Sequence, residues 1–128
     1  NKTYSPLALF FIIDNNILEN INEINKLFDI ILNNKKLDQE IINLLIYKKA
    51  LLNSDTNSEI EIINMIQPIL NSKSIWKPHS LLLLGDYFLS KNEKLKAKEY
   101  YNKILLEKNI DPNLSREAQS RIRSMGSE

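Results

Sequence analysis

The spacing of the large apolar side chains is the feature that most limits how this chain can fold. They return every three or four residues, which is the interval that places side chains on one face of an α-helix. One long run contains six such positions: Ile17, Ile21, Ile24, Leu27, Phe28 and Ile31. Glycine occurs twice and proline four times among 128 residues, so the chain lacks the turn residues of a multistranded β protein. The sequence therefore predicts an all-α fold.

Several helices are expected to begin at a capping residue. Ser5-Pro6 and Asp111-Pro112 each combine an N-cap side chain with a proline at the first helical position, where the missing N–H is not needed. Asp38 is a residue of the same capping type. These positions predict the starts of the first, third and last helices.

Two other starts are predicted from the spacing of a capping box, in which an N-cap side chain and an acidic side chain three residues later bond each other's backbone N–H groups. Asn16 with Glu19 has this spacing before the second helix, and Thr56 with Glu59 has it before the fourth. Pro68 falls inside the fourth helix, where a proline removes a hydrogen bond. We therefore expect a kink there, or an early end one residue before it.

The same spacing predicts which side chains face inward on two of the helices. On the first helix they are Leu7, Ala8, Phe11 and Ile12. On the sixth they are Leu95, Ala97, Tyr101, Ile104 and Leu105. Each set is expected to form one apolar face against the neighbouring helices.

Six of the predicted helices form three pairs with short internal turns. The pairs span about 5–34, 38–71 and 76–109, so the unit repeats about every 33 to 38 residues, within the range of helix-turn-helix solenoid repeats. Such a pair cannot bury its own apolar face, and stacking on the next pair covers it. A plain antiparallel bundle would use the same faces, but the repeat spacing favours stacking. We therefore expect one domain over residues 1–128, an α-α superhelix of three helical hairpins with a C-terminal capping helix at about 112–124.

The third pair has the residue types and spacings of a tetratricopeptide repeat (TPR). Small residues at Gly85 and Ala97 allow its two helices to touch, and large side chains fill the space between them. The matching positions are Leu81, Leu84, Gly85, Phe88, Ala97, Tyr101 and Ile104. The resemblance implies TPR-like hairpins and a role in protein binding.

Part of this pair resembles, more narrowly, the TPR-like periplasmic domain of the ancillary Sec translocon subunit family of Gram-negative bacteria. The resemblance lies in three runs: Leu84-Gly85-Asp86-Tyr87, Lys91-Asn92-Glu93 and Ala97-Lys98-Glu99-Tyr100-Tyr101. It implies a non-catalytic adaptor or scaffold domain, the soluble part of a membrane-anchored envelope protein associated with secretion or envelope assembly. It also implies protein partners such as the translocon or a periplasmic chaperone, and a location at the periplasmic face of the inner membrane.

The start of the chain agrees with an anchored protein. It opens Asn1-Lys2-Thr3 without a methionine, so we expect a further segment upstream. The longest apolar run near the start, Leu7–Ile13, is far shorter than the ~20 residues that span a bilayer. Membrane contact is therefore expected only through a segment absent from this chain, and a cytoplasmic location stays open.

Residues that could carry out chemistry are scarce. The chain has no cysteine and His79 is its one histidine, which excludes disulfides, thiolate metal sites and multi-histidine zinc sites. Carboxylates such as Asp86, Glu93 and Glu99 alternate with lysines, a pattern typical of solvated helix faces. No phosphate-binding glycine loop, EF-hand loop or nucleophile elbow occurs in the sequence. We therefore expect no catalytic residue, no cofactor and no metal.

Partner binding is expected on the first helix of each pair, which lines the concave side of such a superhelix. For the third pair this predicts four groove-facing residues: His79, Leu82, Asp86 and Leu89. Four aromatic residues are expected mainly to fill the core and the helix junctions, although an exposed one would also suit a partner anchor. They are Trp76, Tyr87, Tyr100 and Tyr101.

The charge distribution leaves an alternative function open. The formal net charge is +1, but residues 1–64 carry −3 and residues 65–128 carry +4. A cytoplasmic regulatory or nucleic-acid-binding module would use a basic surface made of Lys94, Lys96, Lys98, Arg116, Arg121 and Arg123. We interpret both halves as solvated surfaces and expect no nucleic-acid partner. A small helical enzyme, the remaining class, would need a polar pocket with convergent titratable groups.

Overall fold

The computed structural model describes residues 5–16 and 20–126, and in these ranges the chain forms α-helices and no β-strand. The helices are α1 (Pro6–Asp14), α2 (Ile21–Leu32), α3 (Gln39–Asn53), α4 (Glu59–Leu70), α5 (Lys77–Ser90), α6 (Lys94–Leu105) and α7 (Pro112–Ser124). The prediction of an all-α fold is confirmed. Within the described ranges, no helix is both long enough and apolar enough to span a bilayer.

Three of the predicted helix starts are confirmed by side-chain hydrogen bonds. The hydroxyl of Ser5 accepts from the backbone N–H of Ala8 at 3.1 Å at the start of α1. The carboxylate of Asp111 accepts from the N–H of Asn113 at 2.9 Å at the start of α7, and Asp38 caps α3 in the same way. Each bond satisfies an N–H that has no partner inside its helix.

The start of α2 differs from the prediction. Asn20 is its N-cap, and its side-chain oxygen accepts from the N–H of Asn22 at 2.9 Å. Asn16, the predicted cap, has a backbone φ of 51°, which is left-handed and unlike the extended conformation of an N-cap. The predicted capping box is therefore wrong at Asn16, and its other member, Glu19, lies outside the described residues.

The start of α4 lies two residues later than predicted. Ser58 and Glu61 form the capping box: the Ser58 hydroxyl accepts from the Glu61 N–H at 3.2 Å, and the Glu61 carboxylate accepts from the Ser58 N–H at 2.8 Å. Thr56 instead donates its hydroxyl to the carbonyl of Asn53 at 3.3 Å. The Thr56–Glu59 capping box was therefore wrong, because the segment offers the same spacing twice.

Pro68 does not end α4, which continues to Leu70. The N–H of Asn71 donates to the carbonyl of Gln67 at 3.0 Å, so backbone bonding resumes across the proline. Pro68 is exposed and lies in the last turn, where the missing N–H removes a single bond near the end of the helix. The expected early end is wrong.

The contacts between residues divide the chain into two compact units, Asn1–Thr56 and Asn57–Glu128. The first unit contains α1, α2 and α3, in which α1 packs on α2 and α2 packs on α3. Its buried core consists of Leu9, Ile24, Phe28, Ile31 and Leu45. The single domain over residues 1–128 and its three pairs stay a prediction.

The inward face of α1 differs from the prediction. Leu9 is buried, and Phe10 and Ile13 pack on the core beside it, whereas Leu7 and Phe11 are 78% and 61% exposed. Apolar side chains cover α1 on nearly all sides, so helical spacing alone does not select one face. The predicted face with Leu7 and Phe11 inward is wrong.

The second unit contains α4, α5, α6 and α7. Helix α5 contacts all three of the others, and α6 also packs on α7. The buried apolar side chains of the unit include Ile62, Ile66, Ile69, Leu81, Leu84, Phe88, Ala97, Tyr101, Ile104, Leu114 and Ala118. Helix α5 is therefore the central element of this unit.

The inward face of α6 is predicted in part. Ala97, Tyr101 and Ile104 are fully buried, as expected. Leu95 is 76% exposed and Leu105 is 36% exposed, so these two assignments are wrong. Two residues along a helix correspond to a rotation of about 200°, which places Leu95 almost opposite Ala97.

Candidate partner-binding surface

The four residues predicted to face a groove lie in one row along α5. His79, Leu82, Asp86 and Leu89 are spaced three and four residues apart, and each is half-buried. The positions between them, including Leu84 and Gly85, are buried against the rest of the unit. The row is therefore the accessible face of an otherwise buried helix, and its role in binding stays a prediction.

Asp86 has two partners within the protein. Its Oδ1 atom accepts from the hydroxyl of Tyr101 on α6 at 2.6 Å and from Nε of Arg121 on α7 at 2.7 Å. The carboxylate therefore links three helices. Burial, and then the hydrogen bond to Asp86, raise the pKa of Tyr101 well above its ordinary value.

Gly85 accounts for the close contact between α5 and α6. A Cβ atom at residue 85 would lie 3.0 Å or less from three ring atoms of Tyr101. The ring is fully buried, so the two helices approach closely only because residue 85 has no side chain. The same contact places the Tyr101 hydroxyl beside Asp86.

His79 lies at the N-terminal end of the row, where it lines a groove of about 860 Å³. The groove is bounded by the turn before α5, the loop before α7 and the first turn of α7. The His79 ring lies 4.9 Å from the ring of Trp76, measured between centroids. Lys77 and Glu107 face each other at 3.8 Å and connect the two sides of the groove.

The other aromatic residues take part in packing. Tyr87 is buried and donates its hydroxyl to the carbonyl of Asn57 at 2.9 Å. Phe88 stacks on Tyr100 with ring centroids 5.5 Å apart and planes 5° from parallel. These rings hold α5 against α6 and against the start of α4. Among the four aromatic residues considered as partner anchors, Trp76 and Tyr100 are half-buried.

Two of the six basic residues considered for nucleic-acid binding are ion-paired. Lys96 lies 2.9 Å from a carboxylate oxygen of Glu59, and Arg121 lies 2.7 Å from Asp86. These partners are 37 and 35 residues away in sequence, so helical spacing could not reveal them. The remaining members of the predicted basic surface are Lys94, Lys98, Arg116 and Arg123.

In the described ranges, no three His, Asp or Glu side chains come close enough together to hold a metal ion. No protein-family profile matches this chain, and no curated protein or solved structure is similar to it at the significance required.

Proposed function

We propose that this chain is a non-catalytic protein-binding domain, an adaptor or scaffold, whose partner binds along α5. The observation that carries the proposal is the half-buried row of His79, Leu82, Asp86 and Leu89 on a helix that packs on three others. The row extends about 15 Å at 1.5 Å per residue. Leu82 and Leu89 provide apolar contact area, and the polar side chains of His79 and Asp86 provide orientation, which is the composition of many protein interfaces.

The packing of the second unit supports a TPR-like arrangement. The second helix of one predicted pair, α4, contacts the first helix of the next, α5, and α5 contacts both α6 and α7. In a stack of helical hairpins each repeat contacts only its neighbours and the end is capped, and the predicted capping helix α7 contacts both helices of the third pair here. We therefore retain the superhelix of TPR-like hairpins as the proposed architecture.

The proposed setting is the bacterial envelope. It rests on the resemblance of residues 84–101 to the ancillary Sec translocon subunit family. In that setting the chain is the soluble part of an anchored protein at the periplasmic face of the inner membrane, where it binds the translocon or a periplasmic chaperone. Protease added to intact spheroplasts tests this: digestion of the native protein supports the envelope, and protection until lysis contradicts it.

The binding surface is tested most directly by site-specific crosslinking. We would place the photoreactive residue p-benzoylphenylalanine at Leu82 or Leu89, and at Ile60 as a control because Ile60 is 72% exposed on α4. The expected result is one crosslinked partner from Leu82 and Leu89 and none from Ile60. Equal crosslinking at all three positions, or none at Leu82 and Leu89, contradicts the proposal.

Substitutions provide an independent test. We would make three alanine variants on α5: His79→Ala, Leu82→Ala and Leu89→Ala. Each is expected to weaken capture of the crosslinked partner about tenfold. Each should lower Tm by only a few degrees, since about 4 °C corresponds to 1 kcal/mol for a chain of this size. Ile60→Ala is the matched control. Loss of folding in the α5 variants would mean that these side chains belong to the core. Asp86 is left out of this set because it also bonds Tyr101 and Arg121.

The nucleic-acid alternative predicts a different result. Binding through the basic residues would weaken steeply with added salt, because neutralising phosphates releases counterions. Fluorescence anisotropy with a labelled DNA duplex and a labelled RNA hairpin, across a salt series, measures this. We expect no saturable binding at physiological salt, and salt-dependent binding that is lost in Arg116→Glu/Arg123→Glu would replace the adaptor proposal.

A further inference from the structure

A second groove lies between the first turn of α6 and the last turn of α7. Its volume is about 270 Å³ and it is lined by Lys94, Leu95, Lys98, Ile122, Met125 and Gly126. No residue of α5 lines it, so it is separate from the surface proposed above. The inference drawn from it does not depend on that surface.

The apolar part of this α6–α7 groove is open to solvent. Leu95 is 76% exposed because it lies on the side of α6 opposite the buried Ala97. Ile122 and Met125, on the facing turn of α7, are half-buried. Three apolar side chains therefore surround a space that fits one bulky apolar group, and burial of such a group would be favourable.

The charged part of the groove is positive. Lys94 and Lys98 are four residues apart on α6, and neither forms an ion pair with another described residue. By contrast, Lys96 on the other side of the helix is paired with Glu59 at 2.9 Å. Among the residues that the structure describes, no carboxylate lines the groove.

The two lysines are the source of this positive potential. The N-terminus of α6 carries a partial positive charge, but its N-cap residue, Glu93, is acidic and lies 3.7 Å from Lys96. The C-terminus of α7, on the facing side of the groove, carries a partial negative charge. An acidic ligand next to Lys94 and Lys98 would therefore complement the two lysines.

We propose that the α6–α7 groove binds an acidic segment of a partner protein that inserts one bulky apolar side chain. The apolar side chain would lie among Leu95, Ile122 and Met125, and carboxylates on either side of it would pair with Lys94 and Lys98. Charge complementarity identifies this occupant, since the described lining of the groove has two lysines and no carboxylate. Concave walls favour a peptide side chain over a flat lipid surface.

The two methionines of the chain, Met65 and Met125, make a direct test possible. Labelling with ¹³C-methyl methionine gives one signal inside the groove, from Met125, and one on α4, from Met65, as an internal control. The probe is the capped peptide Glu-Glu-Leu-Phe-Glu-Glu. Two matched peptides replace Leu-Phe by Ser-Ser, or each Glu by Lys.

The expected result is a saturable shift of the Met125 signal with the acidic probe and no shift of Met65. Lys94→Glu/Lys98→Glu is expected to weaken binding at least about tenfold, since charge reversal turns attraction into repulsion. The matched control is Lys73→Glu/Lys108→Glu, which changes the net charge equally at exposed positions in the other groove. It is expected to alter binding by about twofold or less.

Several outcomes would overturn the proposal. They are an unmoved Met125 signal, equal binding of the serine or lysine peptide, and equal weakening by the control variant. A Met125 shift that depends on protein concentration alone would assign the groove to a second copy of the chain. A shift caused by phosphatidylglycerol vesicles but not by the probe would assign it to a membrane surface. Circular dichroism of both double variants confirms that each remains folded.

Discussion

The carboxylate of Asp86 on α5 accepts a hydrogen bond from Nε of Arg121 on α7 at 2.7 Å. The same oxygen atom accepts the hydroxyl of Tyr101 at 2.6 Å. One acceptor therefore satisfies a donor on a fully buried ring and a donor on a guanidinium that is 32% exposed. The stability of the second unit is expected to depend on this atom.

Replacing Asp86 with Asn tests the charged part of that link. Asn keeps the size of the side chain and an oxygen for Tyr101, but the ion pair with Arg121 is lost. Because the pair is partly exposed, we expect a loss of about 1–2 kcal/mol in the free energy of unfolding. Urea titration followed by the fluorescence of Trp76, the one tryptophan of the chain, measures it.

A double-mutant cycle separates this pair from the rest of the site. Asp86→Asn in the background of Arg121→Gln is expected to be nearly neutral, because the partner is already absent. Glu99→Gln on the exposed face of α6 is the control and should change stability by less than about 0.5 kcal/mol. Full additivity of the Asp86 and Arg121 changes would show that the two side chains do not interact.

The contact of Gly85 with Tyr101 predicts an unusual response to alanine. In most helices Gly→Ala stabilises by about 1 kcal/mol. At residue 85 the added methyl group would overlap the Tyr101 ring, and overpacking a rigid core costs about 1–3 kcal/mol. We therefore expect Gly85→Ala to lower the free energy of unfolding by up to about 2 kcal/mol, where an ordinary helix would gain stability.

The sign of that effect should reverse when the ring is removed. In a Tyr101→Leu background, Gly85→Ala is expected to be neutral or stabilising by up to about 1 kcal/mol. Urea titrations of the four proteins give the comparison. A loss of stability from Gly85→Ala in both backgrounds would place the cause outside the ring contact.

The features predicted correctly from the sequence are local ones. Ser5, Asp38 and Asp111 each cap a helix within three residues of their own position, so nothing distant is needed to recognise them. The errors arise where neighbouring residues offer the same chemistry twice, as Thr56 and Ser58 do before α4. The face of α1 was mistaken because an almost wholly apolar helix has no preferred side.

The features that the sequence could not predict are contacts between distant residues. Spacing placed Asp86 in one row with His79, Leu82 and Leu89, but its bond to Arg121 spans 35 residues. The pairing of Lys96 with Glu59 spans 37 residues and removes a charge from the predicted basic surface. The α6–α7 groove likewise needs two turns that are more than 20 residues apart, and only the fold brings them together.

The tyrosines of the second unit predict a loss of stability at high pH. Burial is the first cause that raises the pKa of Tyr87, Tyr100 and Tyr101, and the nearby carboxylates Glu59 and Asp86 raise it further. The folded chain therefore keeps protons that the unfolded chain releases above about pH 10. The stabilisation is complete below that pH and is lost as the pH rises, for Tyr101 at up to about 1.4 kcal/mol per pH unit.

Tyr101→Phe isolates one of these groups. The variant loses the bond to Asp86, so it is expected to be less stable at neutral pH, but its stability should fall less steeply above pH ~10, by one proton's contribution. Urea titrations at several pH values measure both quantities. An unchanged slope would mean that Tyr101 ionises as readily in the folded chain as in the unfolded one.

In the first unit, Asn25 on α2 and Asn53 on α3 form a reciprocal pair. The amide nitrogen of each donates to the side-chain oxygen of the other, at 2.9 and 2.8 Å, and Asn53 also donates to the carbonyl of Lys49 at 2.7 Å. Asn53 is 7% exposed. Such a pair is fully satisfied in one alignment of the two helices only, because sliding by one residue would leave buried amides unpaired.

Asn53→Asp keeps the shape of this pair and removes its donors. At neutral pH two carbonyl oxygens would then face a buried carboxylate, and we expect a loss of about 2–3 kcal/mol in the free energy of unfolding.

Burial should raise the pKa of the new carboxyl group, so its protonated form, which has one donor, restores part of the stability as the pH falls. The difference from the original protein should therefore shrink as the pH falls towards about 4 and change little below that. Far-ultraviolet circular dichroism in urea measures it, with Asn102→Asp on the exposed face of α6 as the control. Equal, pH-independent effects of the two substitutions would show that the Asn25–Asn53 pair does not hold α2 against α3.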